Sequence, residues 1–481
     1  MSHAAPITPK AFGFFLNGKW LREGNAVNVH SPYDQSVVAT IFQAGPSHVE
    51  EAIESAAKAF DETRKMPVYE RQRILHAVSE AIRGSREDLA RTVALEAGKP
   101  IKTARVEIDR ATFTFAVAAE ESARIYGEWL PLDLQAYSAG RWAIVRRFPL
   151  GPVAAITPFN FPVNLVAHKL APAMAAGCPV ILKPAPQTPI SALKLAALIQ
   201  DAGWPAGALS VIPLANQDAE PLVADDRIKM LTFTGSPQVG WELKKKAGKK
   251  RVTLELGGNA AAIIHHDAPL DYAAERCVAG GFSYAGQSCN SVQRILVHQS
   301  VHEKFLSLLV PRVQKLKTGD PLDESTDVGP LIRESDAQRA LEWIGEAVAA
   351  GAQLLCGGKR QGPLMEPTVL TGTRPDMRVN CQEIFAPAVT VEPYNEFADA
   401  IRAVNDSRFG LQAGLFTRDA KLIFDAYDSL DAGTIVAGDI PTFRIDHMPY
   451  GGMKDSGQGR EGLRYAIEDM TERKLLVMNL Q

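Results

Sequence analysis

Apolar residues recur every three to four positions along the first third of the chain, and this spacing predicts amphipathic helices. The segments that show it span residues 48–60, 69–98 and 101–125. From residue 147 onward, short β-branched runs alternate with helical ones, beginning with VAAIT, NLVAHKLAPAMAAG and PVILK. This alternation is typical of a parallel sheet covered by helices.

A second alternating series begins near Gly257 with AAIIHH, LDYAAERCVAGGF and QRILVHQ, and it predicts another α/β unit. Between residues 127 and 148, two extended segments flank the turn signal Ser138-Ala139-Gly140, so we expect a projecting hairpin. The strand-like tail TERKLLVMNLQ is expected to pair with this hairpin or with another subunit, because exposed strand edges are usually covered.

Composition narrows the choice of partner. The chain has 481 residues, 46% of them hydrophobic, and a prior of about 150 residues per domain predicts roughly three units. Its 52 basic and 55 acidic side chains leave a net charge of -3, which favours a small ligand over nucleic acid or a membrane surface. The basic run from Lys244 to Arg251 fits the solvated end of a helix.

Cysteine usage indicates the compartment. The chain has five cysteines, an odd number, at positions 178, 277, 289, 356 and 381, and it is long enough to be stable without disulfide bonds. We therefore expect no disulfides and a reducing environment. The N-terminal stretch lacks the pattern of a secretion signal, and no run reaches the roughly 20 apolar residues of a membrane span. These features predict a cytoplasmic protein.

Cys289 differs from the other cysteines in its setting. It lies in a Gly-Gln-Ser turn between a predicted helix and a predicted strand, where a side chain can point into a cleft. Most free cysteines are small buried hydrophobes, and this remains the alternative for Cys289.

Glu255 closes the strand RVTLEL, at the carboxyl end where open α/β sheets bind ligands. It is either a base or a charged residue at a partly exposed strand end. The segment KMLTFTGSPQVGWELKK places a glycine turn between a strand and a helix, an arrangement that binds phosphate. Its Gly235 and Gly240 do not match G-x-G-x-x-G, so helix capping is the alternative.

Seven motifs, in order, resemble the aldehyde dehydrogenase superfamily: PFNFP at 158–162, KPAPQTP at 183–189, FTGS at 233–236, ELGG at 255–258, GQSC at 286–289, EIFAP at 383–387 and PYGGMKDSGQGREG at 449–462. The resemblance covers the chain from near residue 16 to near residue 474. It implies an α/β fold with a Rossmann-like cofactor domain, an α/β catalytic domain and a β arm that extends a neighbouring subunit's sheet. The implied bounds are 1–126 and 148–256 for the cofactor domain, 257–464 for the catalytic domain, and 127–147 and 465–481 for the arm. A homodimer or homotetramer is expected.

The resemblance also implies a reaction, the oxidation of an aldehyde to its carboxylic acid with NAD or NADP. Cys289 attacks the aldehyde, and the Asn160 side-chain amide and the backbone N–H of Cys289 stabilise the oxyanion. After hydride transfer, Glu255 activates the water that hydrolyses the thioester. Lys169 and Glu461 match positions that relay a proton, with a structural ion pair as the alternative.

Cofactor contacts carry over to many positions of this sequence: Ile156, Thr157, Pro158, Asn160, Lys183, Ala185, Pro186, Phe233, Gly235, Ser236, Val239, Glu255, Leu256, Gly257, Glu383 and Phe385. Relatives that prefer NAD often have KPxE, whose glutamate binds the adenosine ribose, whereas this chain has Pro186 there. Without that carboxylate a 2′-phosphate is not repelled, so we expect NADP to be accepted or preferred.

Four positions match the walls of the aldehyde tunnel in relatives: Phe161, Leu165, His168 and Arg444. His168 and Arg444 suit a short polar or anionic aldehyde. The loop DIPTFRIDHMPYGG resembles family members that act on lactaldehyde, glyceraldehyde phosphate or phosphonoacetaldehyde. Alternatively, His168 is packed within the protein and has no role in binding the aldehyde. Arg444 then pairs with Asp439 or Asp446.

Two rival functions stay open. A non-catalytic binding member of the family is expected to lose Cys289 or Glu255, and a coenzyme A-acylating member usually lacks the glutamate. Both residues are present here, which favours the acid-forming dehydrogenase. No metal site is predicted.

Overall fold

The structure is a computed structural model that describes residues 10–479. Residues 1–9 of the predicted cofactor domain and 480–481 of the predicted arm lie outside the described residues, as does most of the stretch considered for a secretion signal. Among residues 10–479, no helix is both long and apolar enough to cross a bilayer.

Up to Glu255 the chain forms five strands, four consecutive helices, three further strands and then helices that alternate with strands. In chain order they are β1 (Lys10–Phe12), β2 (Phe14–Leu16), β3 (Lys19–Leu21), β4 (Asn25–His30), β5 (Val37–Gln43), α1 (Pro46–Thr63), α2 (Val68–Gly84), α3 (Arg86–Ala97), α4 (Ile101–Ser122), β6 (Glu128–Pro131), β7 (Arg141–Pro149), β8 (Val153–Ile156), α5 (Asn164–Ala176), β9 (Val180–Lys183), α6 (Pro189–Asp201), β10 (Leu209–Val211), α7 (Glu220–Ala224), β11 (Met230–Thr234), α8 (Pro237–Lys246) and β12 (Arg251–Glu255).

The remaining elements form a second series of strands and helices, and the chain then adds one more strand, β24, to the sheet of the first series. They are β13 (Ala261–Ile264), α9 (Leu270–Phe282), β14 (Arg294–His298), α10 (His302–Gln314), α11 (Glu334–Ala349), β15 (Gln353–Cys356), β16 (Arg360–Gln361), β17 (Leu364–Met365), β18 (Thr368–Thr371), α12 (Arg378–Cys381), β19 (Ala388–Tyr394), α13 (Phe397–Asn405), β20 (Phe409–Gly410), β21 (Gln412–Phe416), α14 (Ala420–Ser429), β22 (Thr434–Ala437), β23 (Met453–Lys454), β24 (Gly457–Gln458), α15 (Leu463–Asp469) and β25 (Thr471–Asn479).

An eight-stranded sheet, with the order β24-β12-β11-β8-β9-β10-β2-β3, has five parallel strands from β12 to β10. The chain builds this sheet outward from β8 to β10 and then returns to place β11 on the other side of β8. Open α/β sheets bind ligands at such a reversal, beyond the carboxyl ends of the strands. The expected crevice therefore lies just after Ile156 and Thr234.

A second sheet, with the order β15-β18-β19-β14-β13-β21-β22, is parallel except for β15. Cys289 lies in the turn between α9 and β14. The α/β fold predicted from the sequence is confirmed. The chain crosses back to the first sheet at β24, which pairs antiparallel with β12. Residues 457–458, which the sequence assigned to the catalytic domain, are therefore part of the first sheet. The domain bounds stay a prediction.

The predicted hairpin is formed by β6 and β7, and the tail strand β25 pairs antiparallel with β7 from Thr471↔Pro149 to Asn479↔Arg141. The tail therefore covers the edge of its own hairpin, one of the two partners predicted for it. The predicted arm begins at residue 465, within α15, which packs against α5.

Two features of the first part of the chain differ from the prediction. The single helix predicted over 69–98 is wrong, because Ser85 takes φ -99° and ψ 13°, which ends α2 and starts α3. Gly84 at this junction has little helix propensity and favours the break. Strands β1 to β5 were not predicted; β1 to β3 have only three residues each, and runs this short carry too little periodicity to be recognised.

Candidate active site

The crevice at the strand reversal opens into a cavity of about 470 Å³. Its walls come from both large sheets: Asn160 follows β8 and Glu255 ends β12 in the first sheet, and Cys289 precedes β14 of the second. Tyr450 and Arg444 come from the loop before β23. The fold thus brings the candidate nucleophile, base and oxyanion donor into one cavity.

Most of the positions singled out in the sequence line this cavity. Those in its wall are Pro158, Asn160, Phe161, Leu165, Gly235, Ser236, Glu255, Leu256, Gly257, Cys289, Glu383, Phe385, Arg444 and Glu461. The remaining positions are not part of the wall: Ile156, Thr157, His168, Lys169, Lys183, Ala185, Pro186, Phe233 and Val239.

Cys289 follows a turn with an unusual backbone. Tyr284, Ala285 and Gly286 have φ of 49°, 54° and 70°, so three consecutive residues take the left-handed conformation. For a residue other than glycine this costs about 1–3 kcal/mol. Glycine is needed at the third position, because a Cβ on Gly286 would lie 2.2 Å from the Ala386 carbonyl oxygen.

Buried hydrogen bonds hold this turn in place. The Tyr284 hydroxyl donates to the Ala97 carbonyl at the end of α3 over 2.7 Å. Farther along the loop, the Gln287 side chain donates to the Pro330 carbonyl (3.3 Å) and accepts from the Ile332 N–H (2.9 Å). The backbone strain is therefore maintained by contacts with distant segments.

A buried ion pair lies beneath the turn. Lys99 and Glu107 are fully buried and hydrogen-bonded to each other. The Lys99 ammonium lies 3.7 Å from the ring centroid of Phe161 and 4.5 Å from that of Tyr284. Glu107 also accepts two backbone N–H groups at the start of α5, over 2.9 and 3.1 Å. Burial lowers the pKa of Lys99 to about 8, although Glu107 opposes the shift.

Cys289 is half-buried, with its Sγ 3.2 Å from the Tyr450 hydroxyl. Burial raises the pKa of its thiol to about 11, although the Tyr450 hydrogen bond and the Arg444 charge favour the thiolate. Near neutral pH the thiol is therefore mostly protonated in this structure, and attack on a carbonyl requires a base.

Glu255 is a buried carboxylate without a hydrogen-bond partner for either oxygen among residues 10–479. Burial, followed by repulsion from Glu461, raises its pKa well above the ordinary value. A carboxylate with a raised pKa takes up a proton more readily than an ordinary carboxylate, which is the property required of a general base.

Several other buried polar atoms of the cavity wall also lack a partner in the described part of the chain: Asn160 Oδ1, Thr234 Oγ1, Thr442 Oγ1 and Arg444 Nε. Asn160 Nδ2 donates to the Gln287 carbonyl over 3.0 Å, which leaves its second N–H for a ligand. Leaving a buried polar group unpaired costs about 1–3 kcal/mol, so the cavity is suited to a polar ligand or to ordered water.

A chain of buried charges leads away from the cavity. Lys169 Nζ donates to Thr232 Oγ1 (3.0 Å) and to Glu461 (3.3 Å), and Arg444 donates to the other oxygen of Glu461 (2.9 Å). Burial lowers the pKa of Lys169. Burial raises the pKa of Glu461, but Lys169 and its other cationic neighbours outweigh this effect and lower it.

The pairing of Arg444 differs from the alternative considered in the sequence. Its guanidinium binds Glu461 and lies 3.7 Å from the Tyr450 ring centroid, so a pairing with Asp439 or Asp446 is wrong. The reason is that the loop turns Arg444 inward over the Tyr450 ring.

The two aspartates have other partners. Asp439 binds Arg276 over 2.6 Å. Asp446 accepts from Arg110 (2.7 Å) and lies 2.7 Å from His168 Nε2. His168 is therefore buried against Asp446, behind the cavity wall.

The residues on the first-sheet side fit a dinucleotide. Ser236 stands at the N-cap position of α8 without a side-chain capping bond, and backbone N–H groups and the helix dipole there favour a phosphate. Gly257 lets a carboxylate approach the backbone, because a Cβ there would lie 2.1 Å from Glu383. Glu383 accepts from the Gly258 N–H over 2.9 Å, and burial raises its pKa to about 7.

Sequence reasoning missed several residues of the wall, namely Arg110, Arg276, Thr442 and Tyr450. Tyr450 could have been found, because it lies within the quoted PYGG motif. Arg110 and Arg276 lie on α4 and α9 outside any motif, and only the packing of these helices brings them to the cavity.

Comparisons with known proteins show the family of this chain. The profile of the Aldehyde dehydrogenase family matches residues 20–476. A 3-sulfolactaldehyde dehydrogenase of Priestia aryabhattai is 44% identical over 98% of both chains. The crystal structure of aldehyde dehydrogenase 21 from Physcomitrella patens with the product succinate superposes with a TM-score of 0.97, at 44% identity over 98% of this chain and 99% of that one. The crystal structure of glyceraldehyde-3-phosphate dehydrogenase from Methanocaldococcus jannaschii with NADP superposes with a TM-score of 0.92, at 37% identity over 95% of this chain and 100% of that one.

Lys99→Met is expected to lower the free energy of unfolding by about 3–5 kcal/mol, because it leaves the Glu107 carboxylate buried without its cation. Lys102→Met is the matched control, since Lys102 pairs with Asp327 on the surface and such pairs contribute about 0–1 kcal/mol. Urea denaturation measures both. Equal losses in the two variants would contradict the importance of the buried pair.

Proposed function

Because the chain belongs to the aldehyde dehydrogenase family, we propose that it oxidises a short anionic aldehyde, with Cys289 as the nucleophile and Glu255 as the base. The enzyme is an NAD(P)-dependent oxidoreductase that converts an aldehyde to its carboxylic acid. The observation that carries the residue assignment is the cavity itself, where the thiol of Cys289, the unpaired carboxylate of Glu255 and the amide of Asn160 meet.

An anionic substrate is supported by the cations of the wall. Arg110, Arg276 and Arg444 all line the cavity, and Arg444 Nε is buried without a partner among residues 10–479. A carboxylate, sulfonate or phosphate on the aldehyde would accept this N–H in a charge-assisted hydrogen bond. Three relatives point the same way, since the sulfolactaldehyde, succinate and glyceraldehyde 3-phosphate in their names are anions.

In the first step the Cys289 sulfur bonds to the aldehyde carbon, and its proton passes to Glu255, the unpaired carboxylate in the same cavity. The carbonyl oxygen becomes negative and is stabilised by the free N–H of Asn160 and the backbone N–H of Cys289. One such donor contributes about 3–4 kcal/mol to the transition state. A nicotinamide held beside Glu383 and Phe385 would supply the hydride acceptor, and loss of the hydride from this carbon would leave a thioester on Cys289.

Hydrolysis of the thioester uses Glu255 again. Its carboxylate takes a proton from water, the hydroxide attacks the thioester carbon, and the acid leaves as the carbon–sulfur bond breaks. Between steps Glu255 must lose its proton. Glu461 and Lys169, linked over 3.3 Å behind the cavity, are the groups that we propose to carry it outward.

The cofactor is proposed to bind on the first-sheet side, with Ser236 at its pyrophosphate and Glu383 and Phe385 at the nicotinamide ribose. Lys183 is proposed at the adenosine ribose, and its ammonium donates to Asn216 over 2.9 Å. Pro186 is exposed and carries no charge that would repel a 2′-phosphate. These features support use of NADP, the cofactor named for the Methanocaldococcus structure.

The enzyme is also proposed to be a homodimer or homotetramer assembled through its arm, the sheet of β6, β7 and β25. Leu475, Leu476 and Val477 on β25 and Trp129 on β6 are about half exposed or more. The outer edges of β6 and β25 have no strand partner within residues 10–479, and exposed apolar edges favour pairing with another chain.

The proposed compartment is the cytoplasm. All five cysteines are unpaired, and a nucleophilic thiol keeps its function only where oxidation is reversed.

Nicotinamide reduction measured with NADP and NAD separately, across anionic and neutral aldehydes, tests the reaction and the cofactor. We expect turnover of the anionic aldehydes, with NADP at least as good as NAD, and none in Cys289→Ala, which has no sulfur to form the thioester. A tenfold higher specificity constant for NAD would contradict the cofactor proposal. An acyl-coenzyme A product would contradict hydrolysis.

Glu255→Gln is expected to slow both the release of the first equivalent of reduced cofactor and the hydrolysis of the thioester, because the thiol and the water both lack their base. In the wild type, thioester hydrolysis should rise with pH through the raised pKa of Glu255, since only the ionised carboxylate accepts a proton. Rapid-quench measurements against pH give both rates. A hydrolysis rate that falls only near pH 4, as for an ordinary carboxyl with a pKa of about 4.3, would contradict this assignment.

Arg444→Leu is expected to raise the KM for an anionic aldehyde about 10- to 100-fold relative to a neutral aldehyde of the same length, because a hydrogen bond to a charged group contributes about 1.5–3 kcal/mol. The ratio of the two KM values cancels any general damage from the lost Glu461 contact. Arg444→Lys, which keeps the charge, should restore most of the ratio. An unchanged ratio in Arg444→Leu would rule out this anion site.

Light scattering is expected to give a dimeric or tetrameric mass for the wild type and a smaller species for Leu476→Glu, because the new charge would be buried at the interface. Phe424→Glu is the matched control, since Phe424 is also more than half exposed and lies on α14, outside the arm. A monomeric wild type would contradict the oligomer proposal.

A further inference from the structure

A cluster of histidines lies outside the catalytic cavity, at the carboxyl end of the second sheet. His265 and His266 follow β13 directly, and His298 ends the neighbouring strand β14. Asp267 follows the two adjacent histidines. None of these residues contributes to the cavity around Cys289. The sequence predicted no metal site; His265, His266 and Asp267 are consecutive, but the pairing of β13 with β14 is what brings His298 beside them.

The distances within the cluster match shared coordination. The ligand atoms of His265, His266 and Asp267 all lie within 4.8 Å of one another. The ring centroid of His298 is 5.3 Å from that of His265 and 5.2 Å from that of His266. Imidazoles bound to one tetrahedral zinc through Zn–N bonds of about 2.0–2.1 Å have centroids roughly 5 Å apart.

Neighbouring groups hydrogen-bond to these side chains and fix their orientation, as groups around the ligands of metal sites do. His265 Nδ1 lies 2.7 Å from the Tyr394 hydroxyl, which leaves Nε2 for a metal. Asp267 accepts from the Thr417 hydroxyl over 2.9 Å and from the Arg418 N–H over 2.8 Å, and it keeps further lone pairs. Fixed orientation of this kind raises metal affinity.

The cluster is also accessible. His266 is exposed, and Asp267 and His298 are half-buried, so an ion can enter from solvent. His298 Nδ1 accepts from the Ser300 N–H over 3.2 Å, which leaves its Nε2 for an ion.

We propose that His265, His266 and Asp267 bind one divalent transition-metal ion, with His298 completing the coordination. Imidazole ligands favour zinc, nickel, copper or cobalt over magnesium, which prefers oxygen. The ion would join the ends of β13 and β14 to the loop after β21, which carries Thr417. Because the site forms only in the folded chain, binding would stabilise the second sheet.

The first test is cobalt titration of the full chain without an affinity tag, followed by visible absorption and equilibrium dialysis. We expect one ion per chain, with the d–d bands of a nitrogen and oxygen site and without a thiolate charge-transfer band. A spectrum dominated by thiolate bands would overturn the proposal, because it would place the ion on a cysteine.

Variants locate the site. Loss of a group that only hydrogen-bonds a metal ligand typically weakens metal binding about 10- to 100-fold, so Tyr394→Phe should weaken zinc binding by about that factor. His266→Ala removes a ligand itself and should weaken zinc binding by at least about tenfold. His76→Ala, at an exposed histidine on α2, is the control and should bind as the wild type does. Equal zinc affinity in His266→Ala and His76→Ala would overturn the proposal.

Thermal unfolding gives an independent readout. Zinc should raise the Tm of the wild type and of His76→Ala, magnesium should not, and His266→Ala should lose the shift. The oxidation rate of His266→Ala without added metal should equal that of the wild type, because His266 lies outside the catalytic cavity. A zinc-induced rise in Tm that persists in His266→Ala would overturn the proposal.

Discussion

The left-handed turn at residues 284–286 presents Cys289 to the cavity, and it depends on contacts supplied by another part of the chain. The Tyr284 hydroxyl is bound to the end of α3, and the Tyr284 ring packs on the ammonium of Lys99. Glu107 neutralises this ammonium and also caps α5, the helix that carries Lys169. One buried ion pair therefore sets both the strained turn and the helix opposite it.

The cavity around Cys289 carries unpaired polar atoms that stability alone would not favour. Three polar groups are buried without protein partners among the described residues: the Glu255 carboxylate, the side-chain carbonyl of Asn160 and the Nε–H of Arg444. Each destabilises the free protein, and each gains a partner only when a polar ligand or water enters. The same low polarity that raises the pKa of Cys289 and Glu255 strengthens hydrogen bonds to a bound anion.

The sequence predicted the α/β fold, the hairpin and the family, because helical periodicity, β-branched runs and seven ordered motifs are local signals. It did not predict the partner of Arg444, since nothing local links that residue to Glu461 across the cavity. Arg110 and Arg276 were missed for the same reason. The strands before residue 44 were missed because their pairing, and not their composition, defines them. Tertiary packing supplied what local patterns could not.

The strand β24 and Glu461 reach the first sheet only after the whole second sheet has been synthesised. During translation β12 therefore has an open edge, and Lys169 is a buried cation without its carboxylate. The first half of the chain is then a partly open intermediate of the kind that aggregates or recruits chaperones. Yield in cells should consequently depend on elongation rate and chaperone supply as well as on the stability of the finished enzyme.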